Sequence, residues 1–262
     1  MDQLFIIKIG GNVIDDEKNL SSFLDDFAAI QGPKILIHGG GKIATKIGDT
    51  LGIESKYVNG RRITDAATID LVTMVYGGLV NKKIVARLQS KACNAIGLTG
   101  ADANIMPARK RPVKDVDYGF VGDVDGSQLA VANLQLLLKG GLVPVMAPLT
   151  HDGRGQMLNT NADTIASTLA VALSALYDVR LIYCFEKKGV LENVADEQSV
   201  ITLITKDIYA QLLSEKKLFD GILPKIDNAF AAIGSGVKEV LIGDARDLLR
   251  NTTPDTIGTL IK

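Results

Sequence analysis

The sequence contains no tryptophan, two histidines and two cysteines among 262 residues, and aromatic residues make up 5% of it. Cys93 and Cys184 lie far apart, and neither a Cys-x-x-Cys pair nor a Cys/His cluster is present. These absences argue against a disulfide framework and against a zinc site. We therefore expect a protein of a reducing compartment, the cytoplasm.

The sequence also lacks an excess of charge of either sign. Lysine and arginine total 29 against 30 for aspartate and glutamate, whereas nucleic acids and anionic membranes attract a basic field. The longest apolar stretch, residues 165–176, contains serine and threonine and is too short to cross about 30 Å of hydrocarbon. The first residues resemble a buried strand more than a signal peptide. We expect small-molecule chemistry, with neither nucleic acid nor membrane as a partner.

Short apolar, β-branched runs alternate with helical patterns along most of the chain. This alternation is typical of βαβ units and predicts an α/β fold, a three-layer αβα sandwich around a largely parallel sheet. Two sets of apolar residues at helical spacing are expected to cover the sheet: Leu20, Phe23, Leu24, Phe27 and Ile30, and Ile69, Val72, Leu79 and Val80. The predicted strands are residues 4–9, 35–37, 95–98, 142–147, 179–185 and 237–242.

The pattern changes between residues 100 and 125 to short polar pieces rich in Asp, Arg and Pro. We predict a β-hairpin lid here, with residues 103–106 and 118–124 as its strands. A second βα alternation begins after the apolar helix that ends near residue 172. We place a domain boundary there.

Two glycine-rich turns, residues 10–12 and 39–41, follow predicted strands. Glycine lets backbone N–H groups approach an anion closely, and a helix that begins at the turn adds its dipole. Each turn is a candidate phosphate or carboxylate site, although strand-to-helix turns also use glycine for geometry alone.

The second turn also permits a rival interpretation. Gly39, Gly41 and Ala44 fit the relaxed dinucleotide fingerprint G-x-G-x-x-A of an NAD-dependent oxidoreductase. That fingerprint requires an acidic residue ~20 positions further on, where Glu54 and Asp65 instead flank the basic segment KYVNGRRIT. The sequence has no G-x-x-x-x-G-K-[ST] loop either, so a protein that uses ATP needs a different architecture.

Polar residues stand at three places where a packed core does not require them. Lys8 lies in an otherwise apolar strand, where a charge needs compensation unless the side chain reaches solvent. Asn159, Asn161 and Asp163 follow a turn and open an apolar helix; capping explains the last two and not the first. Lys225 follows a proline at a predicted helix start, where its charge is unfavourable unless an anion offsets it.

Five segments resemble one family when they are taken together. IIKIGGN, IHGGG, NGRRIT, NTNAD and DGILPK occur in the order and spacing of the acetylglutamate kinases of the amino-acid kinase family. The resemblance covers essentially the whole chain, and NGRRIT with NTNAD favours this branch over the aspartate, carbamate and uridylate kinases. It implies phosphorylation of the side-chain carboxylate of an N-acylated glutamate in arginine biosynthesis, with ATP and Mg²⁺.

The resemblance also implies residue roles. Lys8 and Lys225 would stabilise the phosphoryl group during transfer, and Asp163 would hold both lysines in position. Arg62 and Asn159 would face the α-carboxylate of the amino acid. The implied substrate-binding residues are Gly40, Gly41, Arg62, Asn159 and Asn161, and the implied phosphate-binding residues are Gly10, Gly11 and Gly41.

Residues 1–172 would form the amino-acid-binding and dimerisation lobe, and residues 173–262 the ATP-binding lobe, with one sheet shared by both. The family's Ser/Thr-Asp-Val-x-Gly turn reads FEKKG here, so Glu186 replaces the usual aspartate near the adenine and ribose. No protein ligand to a metal is implied. The implied nucleotide-binding residues are Phe185, Glu186, Gly189 and Gly221.

The implied chemistry agrees with the residues present. A glutamate carboxylate with a pKa of about 4.3 is ionised at neutral pH and needs no general base. We accordingly interpret His38 as a packed neighbour of the glycine turn and not as a catalytic group. The obstacle is repulsion between anions, which lysines, backbone N–H groups and Mg²⁺ relieve.

Other functions stay open at this point. The acceptor of the phosphoryl group is N-acetylglutamate or another carboxylate, such as N-succinylglutamate, glutamate or aminoadipate. A non-catalytic amino-acid or nucleotide sensor is a further alternative, against which Lys8, Asp163 and Lys225 argue.

Only three residues precede the first predicted strand. Arginine-inhibited relatives have an additional N-terminal helix that links dimers into a hexamer. The resemblance therefore implies a homodimer that arginine does not inhibit.

Overall fold

The computed structural model describes residues 1–193, 195–215, 217–218 and 222–262. Each apolar run predicted to be a strand forms one, with bounds that agree within two residues. The strands are β1 (Gln3–Ile9), β2 (Lys34–His38), β3 (Tyr57–Val58), β4 (Arg61–Arg62), β5 (Ala95–Leu98), β6 (Ala108–Lys110), β7 (Gly122–Val124), β8 (Val143–Met146), β9 (Leu149–His151), β10 (Met157–Asn159), β11 (Asp178–Phe185), β12 (Leu203–Ile204), β13 (Glu239–Asp244) and β14 (Thr259–Ile261).

The helices follow the predicted apolar spacing. In the first long helix the predicted apolar face is buried, and Asp16 caps the helix by accepting hydrogen bonds from the backbone of Lys18 and Asn19. A π-helical segment (Thr73–Val80) lies between two α-helical segments, Ala66–Val72 and Asn81–Gln89. The helices are α1 (Gly11–Asp15), α2 (Glu17–Ala29), α3 (Gly41–Leu51), α4 (Ala66–Val72), α5 (Asn81–Gln89), α6 (Val131–Lys139), α7 (Ala162–Leu173), α8 (Lys206–Ser214), α9 (Leu223–Gly234) and α10 (Leu248–Asn251).

The chain divides into two compact units, and the first comprises Met1–Ile35 and Ala166–Lys262. Its strands lie in the order β12, β14, β13, β11, β1. The pairs β1–β11 and β11–β13 are parallel, and β14 runs antiparallel to β13. Strand β1 is buried from Leu4 to Ile9, as parallel strands covered on both faces are.

The second unit comprises Leu36–Ile165. Strand β8 pairs in parallel with both β2 and β5. The unit also contains three antiparallel pairs, β3–β4, β6–β7 and β9–β10. The mostly parallel sheet with flanking helices confirms the predicted α/β class. The assignment of residues 1–172 to amino-acid binding and of residues 173–262 to ATP binding stays a prediction.

The hairpin near residues 100–125 is present, but one of its predicted strands is wrong. Residues 103–106 do not form a strand: Asp102 accepts hydrogen bonds from the backbone and hydroxyl of Thr99, and a short 3₁₀ turn (Asp102–Asn104) results. The strand is β6, which begins four residues after this turn, and it pairs with β7 inside the predicted segment 118–124.

The second predicted apolar face is also partly wrong. Ile69, Val72 and Val80 are buried, whereas Leu79 is 51% exposed. The π-helical segment explains the difference, because its i→i+5 hydrogen bonds place about one more residue in each turn and shift the following side chains around the axis.

No helix within the described part of the chain has both the length and the apolar character needed to cross a membrane.

Candidate active site

The turn at residues 39–41 joins β2 to α3 in a conformation that requires glycine. Gly40 has a φ of 150°, and a Cβ placed there would lie 3.0 Å from the ring of Tyr76. Any other residue would therefore have a strained backbone and would press against this ring. The turn can lie this close to Tyr76 because residue 40 is glycine.

His38 holds this turn from inside the protein. Its Nδ1 donates a hydrogen bond of 2.6 Å to the carbonyl oxygen of Gly39. Asn81 Nδ2 donates to His38 Nε2 at 3.1 Å and to the Val145 carbonyl oxygen at 2.9 Å. Burial lowers the pKa of His38 to about 4, with a further lowering by the charge of Lys82. His38 is therefore neutral, which confirms its interpretation as a packed neighbour of the turn.

Arg62 is held in one orientation. Its side chain is buried, and Nη2 donates to the Gly41 carbonyl oxygen at 2.8 Å and to Thr45 Oγ1 at 2.9 Å. Nη1 donates to Ser55 Oγ, and the guanidinium lies 4.8 Å from the ring of Tyr57. A planar cation fixed in this way is suited to a carboxylate.

Asn159 and Asn161 stand where β10 leads into α7. Asn159 Nδ2 donates to Thr64 Oγ1 at 3.0 Å. Asn161 Oδ1 accepts from the backbone N–H groups of Asp163 at 2.8 Å and Thr164 at 3.1 Å. Asn161 is therefore the predicted cap of α7, with Asp163 in the first turn.

One cavity of about 240 Å³ in the second unit brings together the five residues implied to bind substrate. Guanidinium and amide groups form much of its wall, together with the ring of Tyr76. Such a wall fits a small molecule that carries carboxylate and amide groups. The lining residues are Gly39, Gly40, Gly41, Tyr57, Gly60, Arg61, Arg62, Tyr76, Arg111, Val121, Pro148, Asn159, Thr160, Asn161 and Ala162.

In the first unit, Lys8 and Lys225 lie beside the same aromatic ring. Lys8 Nζ is 5.7 Å from the centroid of Phe185, and Lys225 Nζ is 3.5 Å from it. Lys8 is 9% exposed near the carboxyl end of β1, and Lys225 follows Pro224 in the first turn of α9. The fold thus gathers two cations that are far apart in sequence, with the ring partly compensating their charge.

The first glycine turn lies next to this pair. Gly10 precedes α1, and a Cβ on Gly10 would lie 4.0 Å from Lys8 Nζ. Gly11 is the first residue of α1, which has five residues. Gly10 and the ammonium group of Lys8 are therefore close together.

The residues implied to bind the nucleotide do not all line one cavity in the structure. Phe185 and Glu186 line a cavity of about 300 Å³ in the first unit, next to Asp244 and Arg246. Gly189 has a packing role, since a Cβ there would lie 2.5 Å from Thr259 Oγ1. Gly221 lies outside the described residues. Nucleotide binding by this set stays a prediction.

Comparison with known proteins assigns the chain to a family. The sequence model of the amino acid kinase family matches residues 3–244. The chain belongs to the amino acid kinase family. It is 57% identical over 99% of its length to a protein named acetylglutamate kinase from Cytophaga hutchinsonii, with 98% of that protein covered. It is 55% identical over its full length to a protein of the same name from Phocaeicola vulgatus, with 99% of that protein covered.

A solved structure similar to this amino acid kinase is the N-acetylglutamate synthase of Neisseria gonorrhoeae, complexed with coenzyme A and N-acetyl-glutamate. The TM-score is 0.82 at 23% identity, over 98% of this chain and 59% of that longer chain. The likeness concerns the fold.

The metal implied for this amino acid kinase is Mg²⁺, which binds oxygen ligands. The described residues contain no group of three or more His, Cys, Asp and Glu side chains that would hold one. Mg²⁺ commonly keeps several waters and binds through substrate phosphates with one or two carboxylates. The use of Mg²⁺ by this chain stays a prediction.

Sequence reasoning missed Tyr76, Asn81 and Arg111. Tyr76 and Asn81 read as ordinary residues of an amphipathic helix, and only folding brings them to the glycine turn. Arg111 lies in the basic run RKRP, which has the appearance of a solvated loop. The one available signal was the position of this basic run inside the predicted hairpin segment, residues 100–125.

Proposed function

We propose that this chain is an acetylglutamate kinase, which transfers the γ-phosphoryl group of ATP to the side-chain carboxylate of N-acetyl-L-glutamate or a close N-acyl analogue. Its membership of the amino acid kinase family and its full-length similarity to proteins of that name support this function. The observation that carries the proposal is the position of Lys8 and Lys225 beside Phe185, because transfer between two anions depends on positioned cations.

The acceptor is assigned to the cavity of the second unit. Arg62 and Asn159 bind its α-carboxylate, and backbone N–H groups of Gly40 and Gly41 contribute further donors. Since the guanidinium of Arg62 is already held by Gly41, Thr45 and Ser55, little ordering accompanies binding. The cavity volume of about 240 Å³ suits an amino acid with a small acyl group.

In the reaction, a side-chain carboxylate oxygen attacks the γ-phosphorus, and the bond from that phosphorus to the bridging oxygen of ADP breaks. The electron pair leaves with ADP, and the product is an acyl phosphate. No proton is removed from the ionised acceptor, so neutral His38 has no acid–base task. Mg²⁺, when bound to the ATP phosphates, neutralises part of their charge. Lys8 and Lys225 stabilise the charge on the transferred group, and the role of Asp163 toward them is part of the proposal.

A place in arginine biosynthesis, a cytoplasmic location and assembly as a homodimer belong to the same proposal. Cys93 and Cys184 are buried and are not joined in a disulfide, which is consistent with a reducing compartment. Light scattering of the purified protein measures the mass of the assembly, and a mass other than that of a dimer would contradict this part.

The function is tested by measuring ADP release with N-acetylglutamate, N-succinylglutamate and free glutamate as acceptors. We expect acceptor-dependent ADP release with an acylated glutamate and little with free glutamate. If none of the three stimulates ADP release, the proposed function is wrong.

A further inference from the structure

Arg111 lies on the wall of the substrate cavity but belongs to the hairpin, directly after β6. Its backbone N–H donates to the Val121 carbonyl oxygen at 2.8 Å. Its Nε donates to Asp123 Oδ1 at 2.9 Å, and Nη2 donates to the same oxygen. The guanidinium also lies 5.4 Å from the ring of Tyr118. Two of its three nitrogens are therefore occupied within the hairpin.

The third nitrogen differs from the other two. Nη1 of Arg111 is buried and has no hydrogen-bond partner among the residues that the structure describes. A buried donor without an acceptor is destabilising, and more so when it carries charge. Arg111 lines the cavity, so a ligand bound there is in a position to supply an acceptor.

The other polar groups of an acylated glutamate already have assigned partners. The α-carboxylate is assigned to Arg62 and Asn159, and the side-chain carboxylate must receive the phosphoryl group. The N-acyl substituent is left, and the hairpin places an apolar residue, Val121, on the same wall. Val121 also pairs with Asn159 in an isolated bridge, so the hairpin is fixed next to a proposed ligand of the α-carboxylate.

We propose that Arg111 Nη1 donates a hydrogen bond to an oxygen of the N-acyl substituent and so distinguishes acylated glutamate from free glutamate. The inference rests on the proposed function. A free α-ammonium group offers no acceptor and carries the same sign of charge as the guanidinium, which disfavours it at this position. Arg111 is thus a specificity-determining residue of the acceptor site.

The acceptor oxygen has two possible sources. One is the amide carbonyl, which every N-acylglutamate contains; the other is the terminal carboxylate of a dicarboxylic acyl group such as succinyl. Both oxygens can accept a hydrogen bond from Nη1. Asp123 already pairs with the guanidinium, so a neutral carbonyl is a sufficient partner. A comparison of N-acetylglutamate with N-succinylglutamate distinguishes the two sources, because only the succinyl group has a terminal carboxylate.

The test compares wild type with Arg111→Met, using KM and kcat for N-acetylglutamate, N-succinylglutamate and ATP. We expect KM for an acylated glutamate to rise about ten-fold or more, as the loss of a charge-assisted hydrogen bond predicts, while KM for ATP changes little. A rise with both acyl substrates assigns the bond to the amide carbonyl. A rise with N-succinylglutamate alone assigns it to the terminal carboxylate.

Three further variants make the result specific. Arg109→Met changes an exposed arginine of the same hairpin and should leave all constants unchanged. Asp123→Asn removes the ion pair but keeps Nη1, and should affect KM far less than Arg111→Met. Arg111→Lys keeps the charge and replaces Arg111→Met in the test if the methionine variant does not fold. Its KM for the acylglutamate should lie between those of wild type and Arg111→Met, because lysine lacks the planar fork of arginine.

Two results would overturn the inference: unchanged KM for both acyl substrates in Arg111→Met, or an equal loss in Asp123→Asn, which would give Arg111 a structural role only. Calorimetric binding of both acylglutamates to wild type and Arg111→Met separates this inference from the function. If the wild type binds acylglutamates through Arg111 without phosphorylating them, the proposed reaction fails and the assignment of Arg111 stands. If it binds neither, the assignment is wrong as well.

Discussion

His38 Nδ1 donates a hydrogen bond of 2.6 Å to the carbonyl oxygen of Gly39, so the last residue of β2 holds the first residue of the glycine turn. Since a carbonyl only accepts, the proton is on Nδ1, and Nε2 accepts from Asn81 at 3.1 Å. The neutral ring thereby links the turn to the start of α5. Protonation of His38 would break the Asn81 contact.

We expect this histidine to make stability depend on pH. Burial lowers the pKa of His38 in the folded protein to about 4, whereas an unfolded histidine titrates near its usual 6.5. Between these values the unfolded state binds the proton, so the free energy of unfolding falls as pH decreases from about 6.5 to about 4, by up to ~1.4 kcal/mol per pH unit. Urea unfolding at several pH values should show a shallower dependence in His38→Gln. Parallel curves for the two proteins would contradict the prediction.

The conformation of Gly40 predicts that alanine is tolerated poorly there. Gly40→Ala would combine a φ of 150° with a contact of 3.0 Å to Tyr76, and should raise KM for the acylglutamate by about ten-fold or more while destabilising the protein by about 1–3 kcal/mol. Gly52→Ala is the matched control: Gly52 ends the same helix at φ 71°, and a Cβ there meets nothing within 4 Å. Gly52→Ala should lower the free energy of unfolding and leave KM for the acylglutamate unchanged. An equal rise in KM in both variants would contradict a local effect.

Arg62→Lys should raise KM for the acylglutamate by about ten-fold or more and leave KM for ATP nearly unchanged, because a point charge does not reproduce a planar fork. The three hydrogen bonds of Arg62 within the second unit are the structural basis. Steady-state kinetics with each substrate varied in turn provides both constants. If KM for ATP rises instead, Arg62 belongs to the nucleotide site.

Lys8→Ala and Lys225→Ala should each lower kcat by about 10²- to 10³-fold with a smaller change in KM, as expected when a group acts on charge that moves in the transition state. Lys238→Ala is the control, since Lys238 forms an exposed ion pair with Asp178 and should leave kcat unchanged. Near wild-type kcat in either active-site variant would remove that lysine from the mechanism.

Local pattern was sufficient for much of the fold and for part of the site. Strand β1 was predictable because both of its faces are buried and its apolar run is continuous. Asn161 was predictable as a helix cap because capping depends on neighbours two and three residues away. The family resemblance selected the five substrate residues that the cavity brings together.

The missed features depend on contacts that sequence spacing does not contain. Leu79 was placed on the wrong face because nothing in the periodic pattern marks a π-helical segment. The contact between Asn81 and His38 joins two residues from separate elements. Arg111 enters the cavity because its backbone pairs with Val121, a register that the composition of the loop does not specify.

The reaction itself is tested most directly by following an oxygen atom. N-acetylglutamate labelled with oxygen-18 in its side-chain carboxylate is incubated with the enzyme, ATP and Mg²⁺, and hydroxylamine is added to cleave an acyl phosphate to a hydroxamate and phosphate. Attack by the carboxylate on the γ-phosphorus makes its oxygen the bridge to phosphorus. We predict that the released phosphate carries one oxygen-18 atom, together with an equal amount of hydroxamate. Unlabelled phosphate without hydroxamate would show that ATP is hydrolysed or that another group is phosphorylated, and would contradict phosphoryl transfer to the side-chain carboxylate.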